Sequence, residues 1–82
     1  MARVDVLWGD DHGTPRVAPG TLEDKSQGGV SVRMKAAIRV GSHITVKWGN
    51  EQVSGTVTNC RLERAEYVLG VKRDDGERRD RE

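Results

Sequence analysis

Asp24 and Ser26 stand two residues apart, directly ahead of Gly28 and Gly29, in the stretch LEDKSQGG. In an extended chain, residues at i and i+2 point the same way, so a carboxylate and a hydroxyl are presented together. The carboxylate accepts hydrogen bonds, and the hydroxyl both accepts and donates them. The two glycines let the backbone approach another group closely and leave its N–H donors accessible. This is chemistry for holding a ligand with a donor edge, such as guanine or an arginine. The same residues also make a local side-chain turn that launches the next strand. Spacing alone leaves both readings open.

Elsewhere the chain offers little reactive chemistry. His12 sits beside Asp10 and Asp11, but its spacing matches no metal-ligand pattern, and GDDHGTP reads as a solvated turn. His43 opens a strand on its polar face. Cys60 is the single cysteine, which excludes an intramolecular disulfide, and it has no activating base near it in sequence. No nucleophile–base pair, catalytic carboxylate pair or ligand cluster stands out. The expectation is a binding module and not an enzyme, with no metal and no cofactor.

Composition narrows the class further. At 82 residues the chain is one small domain with little stability to spare. Hydrophobic residues are 34% and aromatics 4%, with no Phe, so the core must come from Val, Leu, Ile, Met and two tryptophans. Charged residues make up 33%, a share that suggests disorder if spread evenly. Here they fall at alternating strand positions and in the tail. The net charge of +1 gives no global field for DNA or RNA. No apolar run is long enough for a membrane-spanning helix, and MARVDVLW lacks the form of a secretion signal. The expected setting is cytoplasmic.

The elements that position Asp24 and Ser26 follow a period of two. Val4, Val6 and Trp8 share one face of a first strand. A second strand runs roughly from Arg16 to Glu23, with Val17 and Leu22 as its apolar members. Pro19 and Gly20 interrupt it and predict an edge position or a bulge. Val30, Val32 and Met34 mark a third strand, and Ile44, Val46 and Trp48 a fourth. Between these two, Gly41 is expected at positive φ, and a short helical turn is possible at residues 35–38. Gly49-Asn50 turns the chain into a long strand from Glu51 to Glu63. There Val53 and Val57 conflict in phase with Cys60 and Leu62, so a bulge is expected at Thr58 or Asn59. Arg64 and Ala65 make the last turn, and Tyr67, Leu69 and Val71 close the sheet. Six short strands imply an all-β fold, a small six-stranded antiparallel barrel over residues 1–73. A charged, mobile tail is expected at 74–82.

The ordered set of motifs resembles the PilZ domain family. Asp24-Lys25-Ser26-Gln27-Gly28-Gly29 fits that family's D/N-x-S-x-x-G motif at every fixed position. Gly41, Gly55-Thr56-Val57 and Tyr67-Val68-Leu69-Gly70-Val71 fit its downstream pattern, so the likeness spans about Thr21 to Lys72. The resemblance implies a bacterial six-stranded barrel that binds cyclic di-GMP. It implies ligand contacts at Asp24, Ser26, Gly28 and Gly29, with Arg3 standing where a second clamp arginine stands. The family's R-x-x-x-R pair is absent, because its first arginine would fall before Met1. Lys25 also departs from the pattern, which favours an apolar residue there. Losing one bidentate arginine–phosphate contact costs about 1.5–3 kcal/mol, roughly ten- to a hundredfold in affinity. Arg16, or a basic face of Arg33, Lys35, Arg39 and Lys47, could substitute. The alternative is a degenerate PilZ-like adaptor for a protein partner. In either case a monomer or weak dimer is expected.

Overall fold

The computed structural model describes residues 2–74. Six strands follow one another: β1 (Ala2–Gly9), β2 (Pro15–Lys25), β3 (Gly29–Met34), β4 (His43–Trp48), β5 (Glu51–Glu63) and β6 (Glu66–Arg73). They close into an antiparallel barrel in the order β1-β2-β3-β6-β5-β4, with β4 returning to β1. The chain therefore makes two three-stranded meanders joined by a crossover from β3 to β4. Two-residue alternation builds the interior, since Val30, Val32 and Met34 of β3 are buried between half-buried neighbours. Val4 and Val6 of β1, Ile44 and Val46 of β4, and Leu69 and Val71 of β6 complete the same cluster. Trp8 and Trp48 are only partly buried and pack against its margin.

The crossover carries no helical turn at residues 35–38. Ile38 instead drops into the core, where burying its side chain is worth more than one isolated turn of helix. Gly41 has φ 98°, as expected, and its N–H is bonded to the Val57 carbonyl at 2.8 Å. Asp74 is tied down as well. Its N–H donates to the Ser54 carbonyl at 3.0 Å, and its carboxylate lies 2.5 Å from His43 Nε2. The ordered contacts thus extend one residue past the expected boundary at 73. The rest of the expected tail lies outside the described residues.

Two features of β2 bear on what its sequence predicts. Val17 is 66% exposed and is not a core member. Parity explains this: Ala18 and Leu22 share the inner phase and pack against the core, which leaves Val17 facing out. Of the two alternatives at Pro19-Gly20, Pro19 takes the edge position and not the bulge: pairing with β1 runs unbroken from Ala2–Leu22 to Gly9–Pro15. Pro19 is tolerated because the β2–β3 register begins only at Gly20–Met34, leaving Pro19 with β1 as its single ladder partner. The register shift lies between Leu22 and Asp24. The bulge expected on β5 does occur, between Val57 and Asn59.

Candidate functional site

The bulge in β2 decides which way the acid–hydroxyl pair faces. Leu22 lies opposite Val32 on the inner phase, whereas Asp24 lies opposite Ser31 and Lys25 opposite Val30. One extra residue at Glu23 therefore turns Asp24 outward beside Ser31. On the far side, Ser31 lies opposite Gly70 of β6, and Gly70 lies opposite Asn59 of β5. This outer row reads acid, hydroxyl, no side chain, amide. The missing side chain at Gly70 opens a concavity of about 400 Å³, lined by Asp24, Ser26, Gly28, Gly29, Ser31, Thr58 and Lys72 among others. The bulge in β2 bounds it on one side and the bulge in β5 on the other.

The glycines divide into two roles. A Cβ at Gly29 would stand 2.1 Å from the Val71 carbonyl oxygen, so the close passage of β6 requires glycine there. Gly28 meets nothing within 4 Å and is not at positive φ. Its carbonyl accepts a bond from Arg73 N at 2.9 Å, which anchors the end of β6 under the turn. The hairpin itself is closed by Ser26 N donating to the Gly29 carbonyl at 2.9 Å, with Ser26 Oγ at 3.4 Å from the same oxygen. Asp24 Oδ1 accepts from Lys25 N at 2.9 Å. Among the described residues, no partner engages Asp24 Oδ2, the Ser31 hydroxyl or the Lys72 ammonium. Thr58 Oγ1 donates to the Gly70 carbonyl at 3.2 Å, and Asn59 Oδ1 accepts from Gly70 N at 2.9 Å. Both bonds hold the β5 bulge against β6.

Lys25 turns away from the concavity. Its ammonium lies 5.5 Å from the centre of the Trp48 ring and 3.4 Å from Glu51, so it bridges from β2 to the β4–β5 hairpin. Arg3 is placed elsewhere too. It stands opposite Thr21 and lines a second, larger groove of about 780 Å³ with Ala18, Met34, Lys35 and Ala36. Asp24, Ser26, Gly28 and Gly29 are thus brought together, and Arg3 is not among them. Thr58, Gly70 and Lys72 join them through cross-strand register, to which motif spacing gives no access.

Of the other cations, Arg16, Arg33, Lys35 and Arg39 are neutralised by carboxylates, whereas Lys47 has no such partner among the described residues. Arg33 forks between Glu23 (2.9 Å) and Glu63 (3.1 Å), and Arg61 bonds Glu63 at 3.0 Å. The Arg33 bond holds the Glu23 carboxyl below the usual range, and bonds from Arg61 and then Arg33 do the same for Glu63. Bonds to Glu23 and Glu63 push Arg33 upward in turn. This network roofs Val68, which is 4% exposed although it lies on the outer phase between Arg33 and Arg61. Arg16 binds Asp10, Arg39 binds Asp11, and Lys35 lies 4.0 Å from Glu66. Asp10 also accepts from the N–H groups of Thr14 and His12, which together with Arg16 hold its carboxyl low and fix GDDHGTP as a turn.

No group of three or more His, Cys, Asp or Glu side chains able to hold a metal occurs among the described residues. No helix among them is long and apolar enough to cross a membrane. Fold and site together define a six-stranded antiparallel barrel that carries the Asp24 concavity on its outer wall. No protein-family model matches this sequence, and no curated protein matches it either.

Proposed function

We propose that this domain is a bacterial, cytoplasmic PilZ-like signalling module that binds cyclic di-GMP through an incomplete site, acting by recognition and not by catalysis. One observation carries the reading: Asp24, Ser26, Gly28 and Gly29 line a single open concavity on the barrel wall. Asp24 Oδ2 accepts from the donor edge of guanine. Gly28, for which packing makes no demand, lets the ligand lie against the turn. The Ser31 hydroxyl, which has no partner among the described residues, supplies a further polar contact. Calorimetric titration with cyclic di-GMP at physiological salt tests it. Saturable heat at or below high micromolar ligand supports the reading, and no heat at that concentration rejects it.

A second reading has its own support. The groove holding Arg3 is larger than the concavity and is walled by Ala18, Pro19, Met34 and Ala36. In this reading the domain is a degenerate PilZ-like adaptor that grips a protein segment there and leaves the nucleotide unbound. The outcome of the titration separates the two.

A further inference from the structure

We infer that Lys72, and not Arg3, is the cation that meets the phosphate of a nucleotide in this concavity, with the hydroxyl of Ser31 beside it. The inference rests on reading the concavity as a nucleotide site, and it adds the anion-binding half of that site. Lys72 is the single cation among the concavity's described lining residues. It stands opposite Gly29 on β3 and Thr56 on β5, so its nearest cross-strand neighbours are small and leave its amine free to swing over the opening. Arg16, Lys25, Arg33, Lys35, Arg39 and Arg61 each have a carboxylate partner. Lys72, like Arg3, Lys47 and Arg64, has none among the described residues, and of these four it alone lines the concavity.

The two charged side chains give the concavity a polarity. Asp24 enters from β2 and Lys72 from β6, with Ser31 and Gly70 paired across the floor. A carboxylate repels phosphate and accepts from a base edge, whereas an ammonium attracts phosphate and repels the donors of that edge. A ligand with a guanine-type donor edge at one end and a phosphodiester at the other satisfies both. A simple anion or a simple cation satisfies only one. Bulges re-aim side chains next to binding sites, and the β5 bulge brings Thr58 to this opening. A lysine is a point charge and not a bidentate fork, so it makes a weaker phosphate contact than the absent arginine pair would. Arg3 pairs with Thr21, three positions before Asp24 on β2, and lines the neighbouring groove with Arg33 and Lys35.

Calorimetry with cyclic di-GMP on the wild type, Lys72→Met, Lys72→Gln, Lys72→Arg and Arg3→Ala, at low and physiological salt, tests the assignment. Lys72→Met and Lys72→Gln are expected to weaken binding about tenfold, the loss of one charge-assisted contact. They should also flatten the salt dependence, since one screened attraction is gone. Lys72→Arg should keep or improve affinity, and Arg3→Ala should leave it within about twofold of wild type. Circular dichroism confirms the fold of each variant. Wild-type binding that both neutral Lys72 variants retain, or an Arg3→Ala loss as large as theirs, overturns the assignment while leaving the nucleotide site standing. A wild type that binds no nucleotide overturns the proposed function and this assignment with it.

Discussion

Ser31 and Gly70 face each other across β3 and β6, and the side chain missing at Gly70 is what hollows the outer wall beside Asp24. A Cβ at Gly70 would lie 2.7 Å from Asn59 Oδ1 and 3.3 Å from Thr58 Oγ1. Gly70→Ala must therefore push the Asn59 amide aside and break its 2.9 Å bond from Gly70 N. The expected loss is about 1 kcal/mol of stability. Gly70→Val fills more of the floor and should also lower nucleotide affinity. Urea unfolding reads the first effect and calorimetry the second. Undiminished affinity in a folded Gly70→Val protein would place the ligand off this strand pair.

The two adjacent glycines of LEDKSQGG should respond very differently to the same change. Gly29→Ala drives a methyl into the Val71 carbonyl, which belongs to the backbone and cannot rotate away. A loss of about 1–3 kcal/mol or more is expected from this overpacking. Gly28→Ala meets open space and should shift stability by less than about 0.5 kcal/mol, as surface changes generally do. If Gly28 is where a ligand approaches, its alanine variant loses affinity with an unchanged unfolding midpoint. Equal destabilisation of both variants would contradict this division.

Much of this architecture was readable from residue order because apolar side chains must alternate to fill a barrel. β3 and β4 follow from that rule directly. The β5 bulge follows from a conflict, since Val57 and Cys60 cannot share a face without an extra residue. The same parity would have removed Val17 from the core, because it is out of phase with Leu22. Other features depend on which strands become neighbours. Nothing local shows that Gly29 is a glycine for the sake of β6, or that Lys72 comes to lie beside Ser26. Val68 is apolar on the outer phase, and only the cross-strand register that sets Arg33 and Arg61 on either side of it accounts for its burial. The displacement of Arg3 from Asp24 is likewise a matter of register: it pairs with Thr21, and sequence distance carries no trace of that.

Acid should weaken the outer charge network in a definite direction. Glu23 and Glu63 are held below the usual carboxylate pKa in the folded protein by bonds from Arg33 and Arg61. A depressed folded value means the unfolded chain binds protons more readily, so the stabilisation is complete above the ordinary value of about 4.3. It is then lost as pH falls through the folded values. Glu23→Gln removes one of these carboxylates. Its stability deficit relative to wild type should be present at neutral pH and shrink below about pH 4. Urea midpoints across pH 3–7 measure this. A deficit that grew on acidification would reverse the assigned sign.

The β5–β6 turn holds the one non-glycine residue at positive φ among the described residues, Arg64 at 60°. Glu63 and Glu66 pair across the turn, so Arg64 and Ala65 alone must reverse the chain. For an L-residue with a Cβ, this conformation crowds the carbonyl and costs roughly 1–2 kcal/mol, whereas asparagine tolerates it better through local hydrogen bonding. The Arg64 side chain is exposed and has no partner among the described residues, so its replacement should sacrifice little. Arg64→Asn is expected to raise stability by about 0.5–1 kcal/mol, seen as a higher urea midpoint at unchanged slope. Arg64→Gly should gain at least as much, because positive φ confined to the first residue of a two-residue turn suits glycine best. Arg64→Val, β-branched and least able to take positive φ, should fall below wild type. A series in which all three behave alike would mean that the turn relaxes and that Arg64 stores no strain.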